Sequence, residues 1–215
     1  MTATLKLGVL ASGNGSNLQA IIDAIGRGEL DASIELVIVN EPNAKAFERA
    51  QAAGISVQRI LHRDFPTREA FDQKLAQALV GAGVQWVVLA GFMRLLTQAF
   101  LDQFADRVIN IHPALLPAFP GVRGIRQALD AGVKVTGCTV HLVDHGVDSG
   151  PILAQSTVAV RDDDDEASLA TRVHEAEHQL YVATLQRLGS HKLVVTRDPI
   201  SKQAHATLHP LEDSK

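Results

Sequence analysis

The segment Leu5-Lys6-Leu7-Gly8-Val9-Leu10, which leads through a glycine-rich loop into Asn17-Leu18-Gln19-Ala20-Ile21-Ile22, decides the fold. Its first half is a short apolar run, which is typical of a buried strand. Its second half has apolar residues at helical spacing, directly after the small and polar residues that begin a helix. The segment therefore predicts a strand, a tight loop and a helix in direct succession.

The same alternation continues through the first half of the chain. Further strands are predicted at residues 34–40, 56–60, 86–90 and 108–111, and further helices at residues 44–53 and 67–79. Strands that alternate with helices form parallel sheets, because each helix crosses back over the sheet before the next strand begins. We therefore predict an α/β protein with a Rossmann-like, twisted, mostly parallel sheet flanked by helices.

The second half of the chain has a different pattern. A proline-rich loop leads to a short helix near residues 125–131, and two strands at residues 133–142 and 151–160 flank a polar loop. We expect these strands to add an antiparallel pair to the sheet. A long helix follows at residues 166–188, and residues 197–215 are expected to form an irregular tail. The whole chain, residues 1–215, is predicted to be a single domain with an ordered core over about residues 5–195.

Composition and charge limit the classes of partner. Of 215 residues, 46% are hydrophobic and 20% are charged, and a net charge of -4 gives no basic surface for nucleic acid. The single cysteine, Cys138, has no partner for an internal disulfide, which favours a cytoplasmic protein. No apolar run reaches the ~20 residues of a membrane span. We expect small-molecule partners, neither nucleic acid nor a membrane, and a monomer or homodimer.

Two polar residues stand close together at the end of a predicted strand, in Asn110-Ile111-His112-Pro113. On a strand, a spacing of two puts both side chains on the same face. A carboxamide and an imidazole can together stabilise an oxyanion and move a proton, and active sites of α/β sheets lie at this end of the strands. The alternative is that both residues only cap the turn that Pro113 begins.

A glycine-rich loop, Gly13-Asn14-Gly15-Ser16-Asn17, joins the first strand to the first helix. Its backbone N–H groups and the helix dipole can bind a phosphate, and its glycines allow close approach. The loop lacks the lysine of a P-loop and the third glycine of a dinucleotide fingerprint. Alternatively, the two glycines only shape a turn.

Asp148 lies in the polar loop that follows the strand ending near residue 142, in Val147-Asp148-Ser149-Gly150-Pro151. If that strand lies beside residues 108–111, the carboxylate can reach His112, orient the ring and favour its charged form. The alternative is an Asx-turn residue that shapes the loop before Ser149 and Gly150.

These segments, taken together, resemble the folate-dependent glycinamide ribonucleotide (phosphoribosylglycinamide) formyltransferase family over nearly the whole chain. The matching blocks also include Val88-Leu89-Ala90-Gly91-Phe92-Met93-Arg94, Leu115-Leu116-Pro117, Gly137-Cys138-Thr139-Val140-His141 and Glu177-His178. The resemblance implies the formyltransferase fold. It also implies transfer of a formyl group from 10-formyltetrahydrofolate, a co-substrate, to the amine of glycinamide ribonucleotide, by direct attack through a tetrahedral intermediate and without a tightly bound cofactor.

The resemblance also implies roles for particular residues. Asn110, His112 and Asp148 match the catalytic trio of the family. Gly15, Ser16 and Asn17 would bind the phosphate of glycinamide ribonucleotide, and Glu177 its ribose. The residues that match the folate site are Arg68, Met93, Arg94, Leu95, Leu96, Val143 and Asp144.

Several alternatives remain open. A formyltetrahydrofolate deformylase would use the same trio with water as acceptor, but such enzymes usually carry an N-terminal regulatory domain, and here the catalytic domain is expected to start at Leu5. Methionyl-tRNA formyltransferase would add a C-terminal RNA-binding domain, which is not expected in a chain that ends at residue 215 without a basic region. A non-catalytic phosphate-binding module would need only the loop at residues 13–17.

One motif points to different chemistry. His174-Glu175-Ala176-Glu177-His178 fits the H-E-x-x-H pattern, which on a helix puts two imidazoles on one face for zinc with a glutamate as base. A pattern of five residues often arises by chance, and no further ligand motif follows it. We therefore predict no metal site. The acidic run at residues 162–166 is expected to complement a helix dipole, and Cys138 to be a small buried side chain.

Overall fold

The computed structural model describes residues 4–200 and 203–210. The chain divides into two compact units, an N-terminal unit that runs to Asn110 and a C-terminal unit that begins at Ile111. The expectation that the chain behaves as a single domain stays a prediction.

The N-terminal unit has the predicted alternation of strands and helices. Its elements are β1 (Leu5–Ala11), α1 (Ser16–Gly26), β2 (Ala32–Val39), α2 (Lys45–Ala52), β3 (Val57–Arg59), a 3₁₀ turn (His62–Asp64), α3 (Arg68–Gly81), β4 (Trp86–Leu89), α4 (Gln98–Gln103) and β5 (Val108–His112), whose last two residues belong to the C-terminal unit. Parallel ladders join β1 to both β2 and β4, β2 to β3, and β4 to β5.

The C-terminal unit contains the predicted antiparallel pair. Its elements are α5 (Gly124–Asp130), β6 (Val135–Leu142), β7 (Ile152–Ala159), α6 (Glu166–Ser190), β8 (His191–Arg197) and β9 (Ala204–Pro210). β6 and β7 run antiparallel, with Cys138 opposite Ser156. Seven strands form one sheet in the order β3-β2-β1-β4-β5-β6-β7, so the predicted α/β fold with a mostly parallel sheet is confirmed.

The prediction of an irregular tail over residues 197–215 is wrong for the part that the structure describes. β8 and β9 form an antiparallel hairpin in a separate two-stranded sheet, with Leu193 opposite Leu208. Each strand has only seven residues, and β9 mixes small and polar residues with a single leucine, so its own pattern does not predict a strand. Pairing with β8 supplies the stabilisation. Residues 201–202 and 211–215 of the expected tail lie outside the described residues.

Close packing in the N-terminal unit explains a glycine in the middle of its central strand. Leu7, Val9 and Leu10 of β1 are fully buried, which stabilises the fold by roughly 2 kcal/mol for each side chain. A Cβ at Gly8 would lie 2.5 Å from Leu79 Cδ2 of α3, far inside van der Waals contact. Glycine therefore lets α3 lie directly on β1.

The acidic run before α6 begins the helix. Asp165 is the N-cap residue and accepts a hydrogen bond from the backbone N–H of Ser168 at 2.7 Å, while the Ser168 hydroxyl accepts from the N–H of Asp165, forming a capping box. Asp164 binds the guanidinium of Arg172, which holds the pKa of that carboxyl well below its usual range. None of the described helices is both long and apolar enough to cross a membrane.

Candidate active site

The carboxyl ends of three parallel strands meet at one edge of the N-terminal unit. Leu10 of β1 lies beside Leu89 of β4, and Leu89 lies beside Asn110 of β5. The loop after β1 therefore starts at the same edge of the sheet as Asn110, the last residue of the N-terminal unit. Asn110 and His112 lie two positions apart on β5, so their side chains are on the same face of the strand.

The loop at residues 13–17 enters α1 through a glycine in the left-handed region. Gly15 is the N-cap residue of α1 and has a φ of 74°, which favours glycine. A Cβ there would also lie 2.7 Å from Ala46 Cβ of α2. Gly15 therefore lets α2 pack against the loop while Ser16 and Asn17 begin the helix.

The segment after β4 is tied to this loop. The Ser12 N–H donates to the carbonyl of Gly91 at 3.0 Å, and the Met93 N–H donates to the Ser12 hydroxyl at 2.8 Å. Met93 is 73% exposed and Leu95 49% exposed, whereas Leu96 is buried. Two apolar side chains of the predicted folate segment are thus available at the surface, and Leu96 is part of the core.

A buried carboxylate fixes the far end of the same segment. Asp72 of α3 is 1% exposed, and its Oδ2 accepts a hydrogen bond from the Thr97 N–H at 2.6 Å. Burial raises the pKa of Asp72, and the hydrogen bond from Thr97, together with the charges of Arg68 and Arg94, opposes that rise. The two predicted folate-site arginines therefore act on this carboxylate. Arg68 itself is exposed.

In the C-terminal unit, the imidazole of His112 contacts the carboxylate of Asp148. His112 Nδ1 lies 3.2 Å from Asp148 Oδ2, and His141 Nε2 lies 3.6 Å from Asp148 Oδ1. Both histidines are under 5% exposed. The prediction that Asp148 reaches His112 across 36 positions of sequence is therefore borne out in the geometry, and the carboxylate also faces a second imidazole.

His112 has an acceptor at each ring nitrogen. Nε2 lies 2.8 Å from the carbonyl oxygen of Phe119, and Nδ1 faces the carboxylate. The orientation of the ring is therefore set from both sides.

The loops that hold His112 are strained. Phe119 has a φ of 55° and Asp148 a φ of 51°, and left-handed backbone is rare for a phenylalanine. The Gly121 N–H donates to Asp148 Oδ2 at 2.7 Å and joins the two loops. Such strain is concentrated at functional sites, where the surrounding structure enforces it.

Several groups around Asp148 keep it charged. Burial alone would raise the pKa of Asp148, but hydrogen bonding from His141 and from the Gly121 N–H, with the charge of His112, lowers it below its ordinary value. A lowered pKa favours the charged carboxylate, which suits the predicted role of orienting His112.

Thr139 and Gln155 fix the loop between His112 and Phe119. The Thr139 hydroxyl donates to the carbonyl of Ala114 at 2.7 Å and accepts from the Leu116 N–H at 3.0 Å. Gln155 Nε2 lies 2.9 Å from the Leu116 carbonyl and 3.0 Å from the Thr139 hydroxyl. The next turn of this loop carries the Phe119 carbonyl.

Sequence reasoning assigned no role to His141, Thr139 or Gln155. Thr139 and His141 stand two positions apart on β6, so the period of two that singled out Asn110 and His112 could have indicated them. Gln155 has no such signal, because its partners, the Leu116 carbonyl and the Thr139 hydroxyl, are distant in sequence.

The loop that contains Asp148 also has an internal anchor. Asp144 accepts hydrogen bonds from the Gly146 N–H at 3.0 Å and from the Ser149 hydroxyl at 2.8 Å. Asp144 and Val143, both predicted for the folate site, are half-buried. The carboxylate of Asp144 therefore shapes this loop.

The H-E-x-x-H motif lies on α6 as expected. His178 is half-buried, and burial lowers the pKa of its ring. His174 is exposed as a residue, but partial loss of solvent around its ring also lowers its pKa. Over residues 4–200 and 203–210 there is no cluster of three or more His, Cys, Asp or Glu side chains that could hold a metal ion, whereas catalytic zinc takes three protein ligands. Glu177 is buried, and Cys138 is fully buried, which raises its pKa to about 12.

Comparisons with known proteins show which family the chain resembles. Residues 5–185 match the formyl transferase family. A phosphoribosylglycinamide formyltransferase from Bacillus subtilis is 40% identical over 183 residues, which are 85% of this chain and 94% of that protein. The crystal structure of glycinamide ribonucleotide transformylase 1 from Symbiobacterium toebii has a TM-score of 0.91 at 40% identity, covering 97% of this chain and 96% of that one.

A longer relative shows the same region inside a larger protein. The trifunctional purine biosynthetic protein adenosine-3 of Drosophila melanogaster is 46% identical over 185 residues, and the match covers 85% of this chain but spans only 14% of that protein. From the family match and these identities, the chain belongs to the formyl transferase family, and phosphoribosylglycinamide formyltransferases are among its relatives.

Proposed function

We propose that this chain transfers the formyl group of 10-formyltetrahydrofolate to the primary amine of glycinamide ribonucleotide, a step of purine biosynthesis. The observation that carries the proposal is the contact between the imidazole of His112 and the carboxylate of Asp148. His112 lies two residues beyond Asn110 on β5. The names of the relatives support the choice of both substrates.

The reaction needs positioning and charge stabilisation rather than an enzyme nucleophile. The amine nitrogen of glycinamide ribonucleotide attacks the formyl carbon, and the formyl oxygen becomes an oxyanion. The bond from that carbon to N10 of the folate then breaks as the carbonyl reforms. One proton leaves the amine and one is gained by N10, so that the products are the formamide and tetrahydrofolate. Donors aimed at the oxyanion lower this barrier most.

Asn110 and His112 are the donors in this proposal. The Asn110 carboxamide offers an N–H, and His112 offers a charged N–H that Asp148 stabilises. In the structure the Phe119 carbonyl holds His112 Nε2 at 2.8 Å. The oxyanion therefore takes the place of this carbonyl when the substrate binds. Asp148 orients His112 and helps to relay the proton of the amine.

Each substrate has a group of residues assigned to it. Gly15, Ser16 and Asn17 bind the phosphate of glycinamide ribonucleotide through backbone N–H groups at the start of α1, and Glu177 binds its ribose. The folate is assigned to Arg68 and to the residues Met93, Arg94, Leu95, Leu96, Val143 and Asp144. Of the apolar residues after β4, the exposure of Met93 and Leu95 supports this assignment most directly.

The proposal also covers cofactors, partners, location and oligomeric state. The chain acts on small molecules, binds no cofactor tightly and needs no metal, nucleic acid or membrane. We place it in the cytoplasm as a monomer or homodimer.

One assay decides between transfer and hydrolysis. Purified protein is incubated with 10-formyltetrahydrofolate, with and without glycinamide ribonucleotide, and both tetrahydrofolate and formylglycinamide ribonucleotide are measured. We expect the two products in equal amounts, and tetrahydrofolate only when the acceptor is present. Hydrolysis at full rate without acceptor, unchanged when it is added, would assign the chain as a deformylase.

A further inference from the structure

α2 holds the loop at residues 13–17 from one side. The Ala46 N–H donates to the carbonyl of Gly13 at 3.2 Å. Arg49 Nε donates to the carbonyl of Asn14 at 2.8 Å, and the terminal Nη2 of the same guanidinium donates to Asn14 Oδ1, also at 2.8 Å. Two successive loop carbonyls are thus fixed by one helix.

Fixing these carbonyls also fixes the N–H groups of the loop. A trans peptide is planar, and its N–H points opposite to its C=O. Because the Gly13 and Asn14 carbonyls point toward α2, the N–H groups of Asn14 and Gly15 point away from it. Successive N–H groups that point to one side form an anion-binding nest.

Arg49 also reaches α1. Its Nη1 donates to Gln19 Oε1 at 3.1 Å, and Gln19 Nε2 in turn donates to Asp23 Oδ1 at 2.8 Å. The guanidinium therefore joins the loop to the first turns of the helix that follows it. The three bonds come from the three separate nitrogens of one planar guanidinium, a geometry that the single nitrogen of a lysine does not reproduce.

We propose that Arg49 is a positioning residue for the phosphate of the acceptor substrate, because it sets the orientation of the peptide between Asn14 and Gly15. This inference rests on the proposed function, in which the loop binds the phosphate of glycinamide ribonucleotide. Arg49 acts through the loop and needs no contact with the substrate.

The test compares the two substrates in Arg49→Lys and Arg49→Gln. We expect the KM for glycinamide ribonucleotide to rise about tenfold, since a hydrogen bond from a charged group is worth roughly that factor. The KM for 10-formyltetrahydrofolate and the turnover at saturation should stay within about twofold, because the phosphate of the acceptor is bound equally in the ground state and in the transition state. Arg27→Lys is the matched control, since Arg27 makes a bidentate ion pair with Glu29 at the surface.

Asn14→Ala provides an intermediate case. It removes the Oδ1 acceptor but keeps the backbone carbonyl that Arg49 Nε binds, so its KM for glycinamide ribonucleotide should rise less than that of Arg49→Gln. Adding Asn14→Ala to Arg49→Gln should then cause little further change. Equal increases in both KM values, or unchanged KM values in both Arg49 variants, would overturn the inference.

A binding experiment separates this inference from the proposed function. If the wild-type chain forms no formylated product, the proposed function fails, but the inference is still decided by ribose 5-phosphate as a probe, titrated and followed by calorimetry. Weaker binding by Arg49→Lys than by the wild type and Arg27→Lys supports the inference. The same binding, or no binding, in all three proteins overturns it.

Discussion

At the scale of single residues, the candidate site depends on groups that hold His112 from two sides. Asp148 faces Nδ1 and the Phe119 carbonyl faces Nε2. A sequence pattern could indicate His112 and Asp148 as candidates, because His112 ends an apolar strand and Asp148 lies in the polar loop that follows another. It could not indicate the Phe119 carbonyl, because every residue has a carbonyl and only the fold directs this one at the ring.

Asn110→Ala should lower turnover about 10²-fold, since one oxyanion donor is worth roughly 3 kcal/mol in the transition state. The KM values should change much less, because the donor acts mainly on charge that develops during the reaction. Steady-state kinetics of the transfer reaction measure this, with thermal unfolding as the check that the variant is folded. Turnover within a factor of three of the wild type would remove Asn110 from the mechanism.

Because of Asp148, the stability of the folded state should depend on pH in the acid range. Its pKa is lowered in the folded protein from an ordinary value of about 3.9, so its stabilisation is present above that pH and is lost as the pH falls through the lowered value. Asp148→Asn lacks this contribution. The free energy of unfolding in urea should therefore differ between wild type and variant at pH 5, and differ less at pH 3.

The control for this experiment is Asp163→Asn, which makes the same chemical change at an exposed position before α6. A difference between Asp148→Asn and the wild type that does not change with pH would show that the Asp148 pKa is not lowered on folding.

At the scale of the element, short segments joined to strand ends carry the binding groups. The sequence predicts the β1–loop–α1 segment correctly, because the apolar run and the helical spacing are both strong signals. α4 was missed because six residues are too few to show a period, and β9 because it is stabilised by pairing with β8. The hydrogen bond from Thr97 to Asp72, which restrains the predicted folate segment, could not be predicted, because it joins residues 25 positions apart in sequence.

Asp72→Ala should destabilise the protein by about 2 kcal/mol, because it leaves the Thr97 N–H buried without an acceptor. Asp72→Asn keeps an acceptor oxygen and should be much less destabilising. The KM for 10-formyltetrahydrofolate should rise in the alanine variant only. Chemical denaturation and steady-state kinetics of both variants measure these effects, and equal losses in the two would show that the charge rather than the hydrogen bond matters.

Asp72 should affect the pH dependence of stability in the opposite direction to Asp148. Burial raises the pKa of Asp72 in the folded state, so the wild type loses stability as the pH rises through the interval above the ordinary value of about 3.9. Asp72→Asn cannot ionise, and its stability relative to the wild type should therefore improve between pH 4 and pH 7. No change in that difference would contradict the raised pKa.

Gly15→Ala should weaken the acceptor site. A φ of 74° costs an alanine roughly 1–2 kcal/mol, and the new Cβ would press on Ala46 of α2. The KM for glycinamide ribonucleotide should rise more than that for the folate. Gly13→Ala is the matched control, because a Cβ there meets nothing within 4 Å. The same change in the KM for glycinamide ribonucleotide in both variants would argue against a close approach of the substrate to the backbone at Gly15.

At the scale of the whole molecule, the fold class was predictable, whereas the contacts that shape the site were not. Alternating strands and helices predict the parallel sheet of the N-terminal unit from local pattern alone. In the C-terminal unit, the approach of Asp148 to both His112 and His141 depends on a loop with left-handed backbone at Asp148 itself. Local propensity does not predict such strained geometry, because tertiary packing enforces it.

The central claim is that His112 and Asp148 act as one unit in formyl transfer. The most direct measurement is the turnover of His112→Ala, Asp148→Asn and the double variant in the transfer assay. Each single change should lower turnover by about 10²-fold, and the double variant by little more than either alone, because the pair works together. Near-normal turnover in either single variant, or losses that multiply in the double variant to about 10⁴-fold, would contradict the claim.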